Sequence, residues 1–136
     1  MTCEYKQRGS LAVEVVLVVP VLMMMVMFIV FVGRVQSASM TVRHAADVGA
    51  RSGSIVHTDD AQRQAYVRAT DELSRAHHVC ESSRVHTEIR RVDGEVMVVA
   101  ITQCVVRTRG LSFLGVAGPT VRGTSMEVID HFRSAR

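Results

Sequence analysis

The chain carries one carboxylate, Glu14, in a stretch that is otherwise apolar from Leu11 to Val32. An ionised side chain near hydrocarbon costs roughly 3 kcal/mol on insertion scales, so an acid in such a place usually has a function. Lys6 and Arg8 precede this stretch and are followed by Gly9. The order is therefore a basic leader, a glycine, an acid and an apolar helix, which predicts a processing and assembly signal.

Cys80 and Cys104, which both follow the apolar stretch, are two residues that can react with each other. The third cysteine, Cys3, lies in the leader and would be removed by cleavage at Gly9. An even number of cysteines in a small domain is typical of a disulfide formed in an oxidising compartment. Closing this loop would stabilise the domain by about 3 kcal/mol. Two free, buried thiols that pack as small hydrophobic side chains remain the alternative.

A catalytic or metal site would have to use His77, His78 and Cys80, with Asp71 nearby in sequence. Adjacent histidines cannot both face one site from a regular helix, and no second ligand pair follows at zinc-like spacing. Serine-hydrolase and phosphate-loop motifs are also absent from the sequence. We therefore predict no catalytic residues, no metal site and no cofactor.

The net charge of +3 does not indicate a nucleic-acid partner. Residues 1–52 carry five basic and three acidic side chains, whereas residues 53–136 carry eleven arginines and ten acids. The second part is therefore nearly neutral, without the clustered basic face that nucleic acids require. An aromatic content of 4% with no tryptophan also argues against base stacking.

The apolar stretch is long enough to be a membrane anchor, since about 20 apolar residues cross a bilayer. Pro20 predicts a kink in this helix rather than its end, because neighbouring helices can satisfy the freed carbonyl. Basic residues on the two sides of the stretch do not decide its orientation. The leader and the cysteine pair favour a cytoplasmic amino terminus and an exterior carboxyl-terminal domain.

Helical spacing continues beyond Arg34, with small or apolar residues on one face. This stripe permits close packing of helices. It has two compatible interpretations, packing on the chain's own domain or on another subunit. Its members are Ala38, Val42, Ala45, Ala46 and Gly49.

A second amphipathic helix is predicted after a short linker at residues 55–58. Asp59 and Gln62 have the spacing of a capping box at its start. The helix should end near His77, and its apolar face comprises Ala65, Tyr66, Ala69, Leu73 and Ala76.

A β-hairpin is predicted next, with strands around residues 85–89 and 95–107. Asp93-Gly94 is a preferred pair for a two-residue turn, because both positions need positive φ. The return strand is apolar on both faces and should be central. Residues 110–119 are predicted to form a loop and residues 121–129 a third strand. The fold class is thus α+β: a long amino-terminal helix with a small head of one helix and about three antiparallel strands.

The register of the hairpin limits how Cys80 and Cys104 can come within the distance of a disulfide. A strict two-residue turn places Cys104 opposite Ser83 and not opposite Cys80, while a disulfide needs Cα atoms within about 7 Å. The chain must therefore bend near Glu81-Ser82 if the two cysteines are joined.

Residues 9–34, with the core Val-Glu-Val-Val-Leu-Val-Val-Pro-Val-Leu, resemble the amino-terminal segment of the TadE-like family, pseudopilins of tight-adherence pilus systems. The small-residue segment 45–54, the two cysteines around a hairpin and the closing segment 128–133 resemble the same family. Ser10 and Val15 differ from the aromatic residues common at these two positions in the family.

The resemblance implies that a membrane aspartic prepilin peptidase cleaves between Gly9 and Ser10. Cleavage frees an ammonium group on Ser10, which can neutralise Glu14 of an adjacent subunit in the low-dielectric core of a pilus. The implied partners are the membrane, the prepilin peptidase, and other pilin or pseudopilin subunits with their assembly machinery. Homo- or hetero-oligomers would form through the amino-terminal helix.

The expected organisation is a cytoplasmic leader (1–9), a transmembrane helix (10–33), its extension (34–52) and an extracytoplasmic head (53–136). The expected function is that of a minor pseudopilin or membrane-anchored assembly component, not an enzyme. Two alternatives remain. Ser37-Ala38-Ser39 could be a signal-peptidase site of a secreted protein, or the chain could be an unprocessed single-pass anchor. Either would carry a small disulfide-bonded binding domain.

Overall fold

Two helices and one antiparallel sheet make up the fold, as seen in a computed structural model that describes residues 8–108 and 118–129, with side chains from Val13 onward. The predicted α+β class is confirmed. The elements in chain order are α1 (Arg8–Ser54), α2 (Thr58–Arg75), β1 (Cys80–Val92), β2 (Glu95–Val106) and β3 (Thr120–Val128). The chain divides into two units between Gly33 and Arg34, and each is described separately below.

The first unit is the apolar part of α1. Its Val, Leu, Met, Ile and Phe side chains are exposed from Val13 through Val30. None of the most apolar 18-residue window is buried, and α1 alone among the described helices is long and apolar enough to cross a membrane. The helix continues through Pro20, as predicted. Such exposed apolar area indicates a helix that lies in lipid or against other helices.

Helix α2 packs through a face of alanines. Ala61, Ala65, Ala69 and Leu73 are buried, whereas Tyr66 is exposed, so the predicted place of Tyr66 on the apolar face is wrong. Successive buried positions are four residues apart, and Tyr66 lies about 100° from that row. The small side chains let neighbouring backbones come close.

The start of α2 also differs from the predicted capping box. His57 is the N-cap residue, and Asp59 lies in the first turn, where its charge complements the helix dipole. The side chain of Gln62 is used elsewhere, because its amide donates a hydrogen bond of 2.8 Å to the carbonyl of Thr87 in β1. In return, the hydroxyl of Thr87 donates a 3.2 Å hydrogen bond to the backbone carbonyl of Gln62. This reciprocal pair attaches α2 to β1, a strand at the edge of the sheet.

The sheet has the order β1-β2-β3, so β2 is central, as its two apolar faces predicted. Asp93 and Gly94 form the two-residue turn with φ values of 53° and 86°, as predicted. The third strand lies one residue earlier than predicted and is antiparallel to β2. The predicted loop 110–119 falls largely outside the described residues, as do the closing residues from Asp130 onward.

Two buried clusters form the core of the second unit. One joins the extension of α1 to Leu73 of α2 and to the ends of β1 and β2 near the cysteines. The other joins alanines of α2 to Val96, Val98 and Ile129. On β2, residues with even numbers from Val96 to Val106 are buried. One face of the sheet therefore packs on both helices.

Candidate functional site

Glu14 lies two turns into α1 among exposed valines. Val13, Val15 and Val16 have relative exposures of 62, 57 and 69%. Glu14 itself is exposed, and within the part of the chain whose side chains are described it forms no ion pair.

The predicted cleavage position, between Gly9 and Ser10, lies within the described part of α1. The peptide bond between these two residues therefore has helical backbone geometry. A peptidase that needs an extended substrate would have to unwind the helix at this point.

The small-residue stripe of α1 is buried inside the chain's own head. Its four apolar side chains are at most 1% exposed, and Gly49 is also buried; the set is Ala38, Val42, Ala45, Ala46 and Gly49. A Cβ atom placed on Gly49 would lie 2.8 Å from Cβ of Ala69 and 3.0 Å from the carbonyl oxygen of Ala65. Of the two interpretations of the stripe, the structure therefore shows intramolecular packing, which leaves these residues no surface for another subunit.

A second close approach joins α1 to the sheet. The hydroxyl of Thr102 in β2 is fully buried and donates a 2.6 Å hydrogen bond to the carbonyl of Val42. Beside it, Gly123 of β3 faces the same carbonyl, and a Cβ atom on this glycine would lie only 2.5 Å from its oxygen. Helix and strand therefore touch backbone to backbone at this point.

Sequence reasoning missed this contact, although two signals were present. Glycine inside a strand often marks a close approach of another backbone. A threonine on the apolar face of a central strand needs a hydrogen-bond partner, since buried polar groups are rarely left unsatisfied. Gly123 and Thr102 are these two residues.

Cys80 and Cys104 form a disulfide whose Cα atoms are 5.5 Å apart. Cys104 lies opposite Ser83, as the strict turn predicted, and the register shifts between Cys80 and Ser82. The expected bend near residues 81–82 is therefore present as a bulge, which turns Cys80 toward Cys104. A cysteine in a disulfide cannot act as a thiolate ligand or nucleophile.

The comparison with known families gives a match in the first part of the chain. Residues 9–51, about a third of the chain, match the family model described as TadE-like protein. These residues, here called the TadE-like segment, are similar to that family. The resemblance expected from the sequence is thus confirmed for this segment. No curated protein and no solved structure gave a significant match.

The TadE-like segment contains most of the predicted site residues. Gly9, Ser10, Glu14 and Pro20 all lie within it, as does the small-residue stripe that ends at Gly49. The sheet and the disulfide lie outside the matched residues, so the head is known from the structure alone.

Proposed function

We propose that this protein is a minor pseudopilin, or a membrane-anchored assembly component, of a tight-adherence pilus. The observation that carries the proposal is a carboxylate, Glu14, without an ion-pair partner among the described side chains, on an exposed apolar helix inside a TadE-like segment. The protein acts without catalysis, by packing its helix against other subunits in the membrane and in the growing assembly.

The length of the apolar stretch supports the membrane part of this proposal. Residues 11–32 would extend about 33 Å as a helix at 1.5 Å per residue, close to the roughly 30 Å of bilayer hydrocarbon. Pro20 lies within it, and the kink it is expected to cause is part of the proposal. The proposed anchor is residues 10–33, after a leader of residues 1–9.

The role proposed for Glu14 is to pair with a new amino terminus. Cleavage after Gly9 by a prepilin peptidase would place an ammonium group on Ser10, four residues from the acid. The new amino terminus on Ser10 would lie close to Glu14 of its own helix. In an assembly it would also lie close to Glu14 of a neighbouring subunit. Loss of one partner from such a desolvated pair costs about 3 to 5 kcal/mol, more than about 100-fold in an equilibrium constant.

The disulfide supports an exterior position for the head. Disulfides persist in oxidising compartments and are rare in a reducing cytoplasm. With the head outside, the amino terminus is cytoplasmic, where the peptidase acts on the leader. Residues 34–52 would then carry the helix from the membrane into the extracytoplasmic head.

Two substitutions of Glu14, made in cells that assemble the pilus, test the proposed role of its carboxylate in assembly. Glu14→Gln keeps size and polarity but removes the charge, so we expect normal membrane insertion and at least a tenfold loss of piliation. Glu14→Asp keeps the charge and should retain a substantial part of piliation. Insertion is measured in the membrane fraction and piliation in the sheared surface fraction. Normal piliation with Glu14→Gln would remove the assembly role of this residue.

A further inference from the structure

Strand β1 is an edge of the sheet, and it directs backbone hydrogen-bonding groups away from the sheet. It pairs with β2 on one side, and no described strand pairs with its other side. The carbonyl of Thr87 points to this open side, where its oxygen accepts a hydrogen bond from the Gln62 side chain of α2. Backbone groups alternate in direction along an antiparallel strand, so those of Val85 and Ile89 point the same way. The edge is therefore a template for one more strand.

There is space for such a strand beside the edge. An open groove of about 440 Å³ lies between α2 and β1, lined by residues that include Gln62 and Tyr66 of the helix and Val85, His86 and Thr87 of the strand. An added strand would lie about 4.8 Å from β1, within this groove. The hydrogen bond from Gln62 does not close the edge, because a carbonyl oxygen has two lone pairs and can accept a second bond.

Charged side chains of both signs lie on the face of β1 that points away from the helices, called here the outer face. Thr87 contacts α2, so its neighbours in sequence project from the opposite face. The ionisable residues of the outer face are Arg84, His86, Glu88 and Arg90. Glu88 binds the guanidinium of Arg90, whereas Arg84 is exposed and forms no ion pair with any side chain that the structure describes. A carboxylate has about four acceptor sites, so Glu88 can accept from a further arginine.

Antiparallel pairing of β1 with a second copy of itself satisfies both the open edge and these charges. His86 is the middle residue of the 13-residue strand. A two-fold axis at His86 therefore gives the longest overlap, and it places Arg84 of each chain opposite Glu88 of the other. A shift of the axis to Thr87 would oppose Arg84 to Arg90, and like charges directly opposite each other are destabilising. The opposite shift by one residue would place neither arginine opposite the acid.

We propose that the head forms a two-fold dimer with a second copy of this chain through the open edge of β1. The dimer joins two three-stranded sheets into one continuous sheet. Both copies contribute the same surface, as a two-fold interface requires. Backbone hydrogen bonds along the edge supply the attraction, and two Arg84–Glu88 pairs select the register. This interface uses residues of the head alone, and it does not depend on the proposed pilus function.

Cysteine cross-linking of the full chain in detergent micelles tests the dimer. His86→Cys places two cysteines at the axis, where opposed residues have Cα atoms about 4.5 Å apart, within the range of a disulfide. Cys3→Ser is present in every variant, so that Cys80 and Cys104, which are already joined, are the only other cysteines. We expect most of the His86→Cys chain to become a covalent dimer after oxidation with copper phenanthroline.

Thr124→Cys is the matched control. Thr124 is exposed in the middle of β3, the other edge strand, and lies on the same outer face of the sheet. This variant should remain monomeric. A monomeric His86→Cys chain would overturn the proposal. Equal cross-linking of the two variants would also overturn it, because association through the apolar helix would then explain the result, and cross-linking of Thr124→Cys alone would place the interface on β3.

Charge reversal tests the register. Arg84→Glu and Glu88→Arg are each added to the His86→Cys chain, and each places like charges opposite each other at two positions of the dimer. Association should therefore weaken about tenfold for either variant alone. An equal mixture of the two variants brings every glutamate opposite an arginine and should restore cross-linking, which a merely destabilised head would not do. Unchanged cross-linking in the single variants, or no restoration in the mixture, would overturn the pairing of Arg84 with Glu88.

Discussion

At the scale of single residues, the head depends on a few positions where no side chain fits. Gly49 approaches α2, and Gly123 approaches the carbonyl of Val42. The turn residues Asp93 and Gly94 were predictable, because positive φ limits the choice of residue at two adjacent positions. The packing glycines were not, since the requirement for them comes from another element that is distant in sequence.

Gly123→Ala should destabilise the head. The added methyl group would lie 2.5 Å from the Val42 oxygen and 2.7 Å from the Arg43 nitrogen, and backbone atoms cannot yield as a flexible side chain can. Overpacking of this kind costs about 2 kcal/mol, which corresponds to about 10 °C in the unfolding midpoint of a domain this small. The measurement is thermal unfolding of the full chain in detergent micelles by circular dichroism.

Gly33→Ala is the control for this substitution, because nothing lies within 4 Å of a Cβ atom at that position. In a helix it should leave the midpoint unchanged or raise it slightly. Equal midpoints for Gly123→Ala and the wild type would contradict the close contact between β3 and α1.

At the scale of elements, most of the correct predictions came from the periodicity of apolar residues and from the strand register that the hairpin turn imposes. The alternation of residues 85–89, the apolar return strand and the Asp-Gly turn together predicted a hairpin, a central β2 and the register of Cys104 with Ser83. The start of α2 was predicted wrongly, because Gln62 has the spacing of a capping residue but binds Thr87 instead. That contact joins residues 25 positions apart, and no local pattern reports it.

The small-residue stripe shows that helical periodicity predicts which residues share a face but not what packs against that face. Spacing placed Ala38 through Gly49 on one face of α1, but could not identify what covers that face. The structure covers it with α2 and the sheet. Assembly contacts would therefore have to use the exposed apolar part of α1, or exposed faces of the head, rather than this stripe.

Gly49→Leu separates the two interpretations of the stripe. A leucine has no space against Ala65 and Ala69, so the full chain should lose about 3 kcal/mol and its unfolding midpoint should fall by more than about 10 °C in micelles. Asp47→Leu, on the exposed side of the same helix, is the control and should have little effect. If the stripe served another subunit instead, Gly49→Leu would leave the isolated chain as stable as the wild type and impair only assembly.

At the scale of the whole molecule, the sequence divides into an apolar TadE-like helix and a head whose core is mostly small side chains. The apolar helix could be predicted because a run of about 20 residues with almost no polar side chain is typical of a membrane-spanning helix. The head was harder, since its core relies on alanine, glycine and valine, which also occur in many different structural contexts. The disulfide partly compensates for this small core by restricting the unfolded chain.

The amino terminus of the mature protein distinguishes a pseudopilin from both alternatives. The leader, the acid and the apolar helix together predict a membrane-bound form that begins at Ser10, and intact mass spectrometry of the membrane fraction measures this. We expect a mass that lacks residues 1–9, including Cys3. A terminus at Met40 would identify a secreted protein, and one at Met1 or Thr2 an unprocessed anchor; either would contradict the proposed pseudopilin.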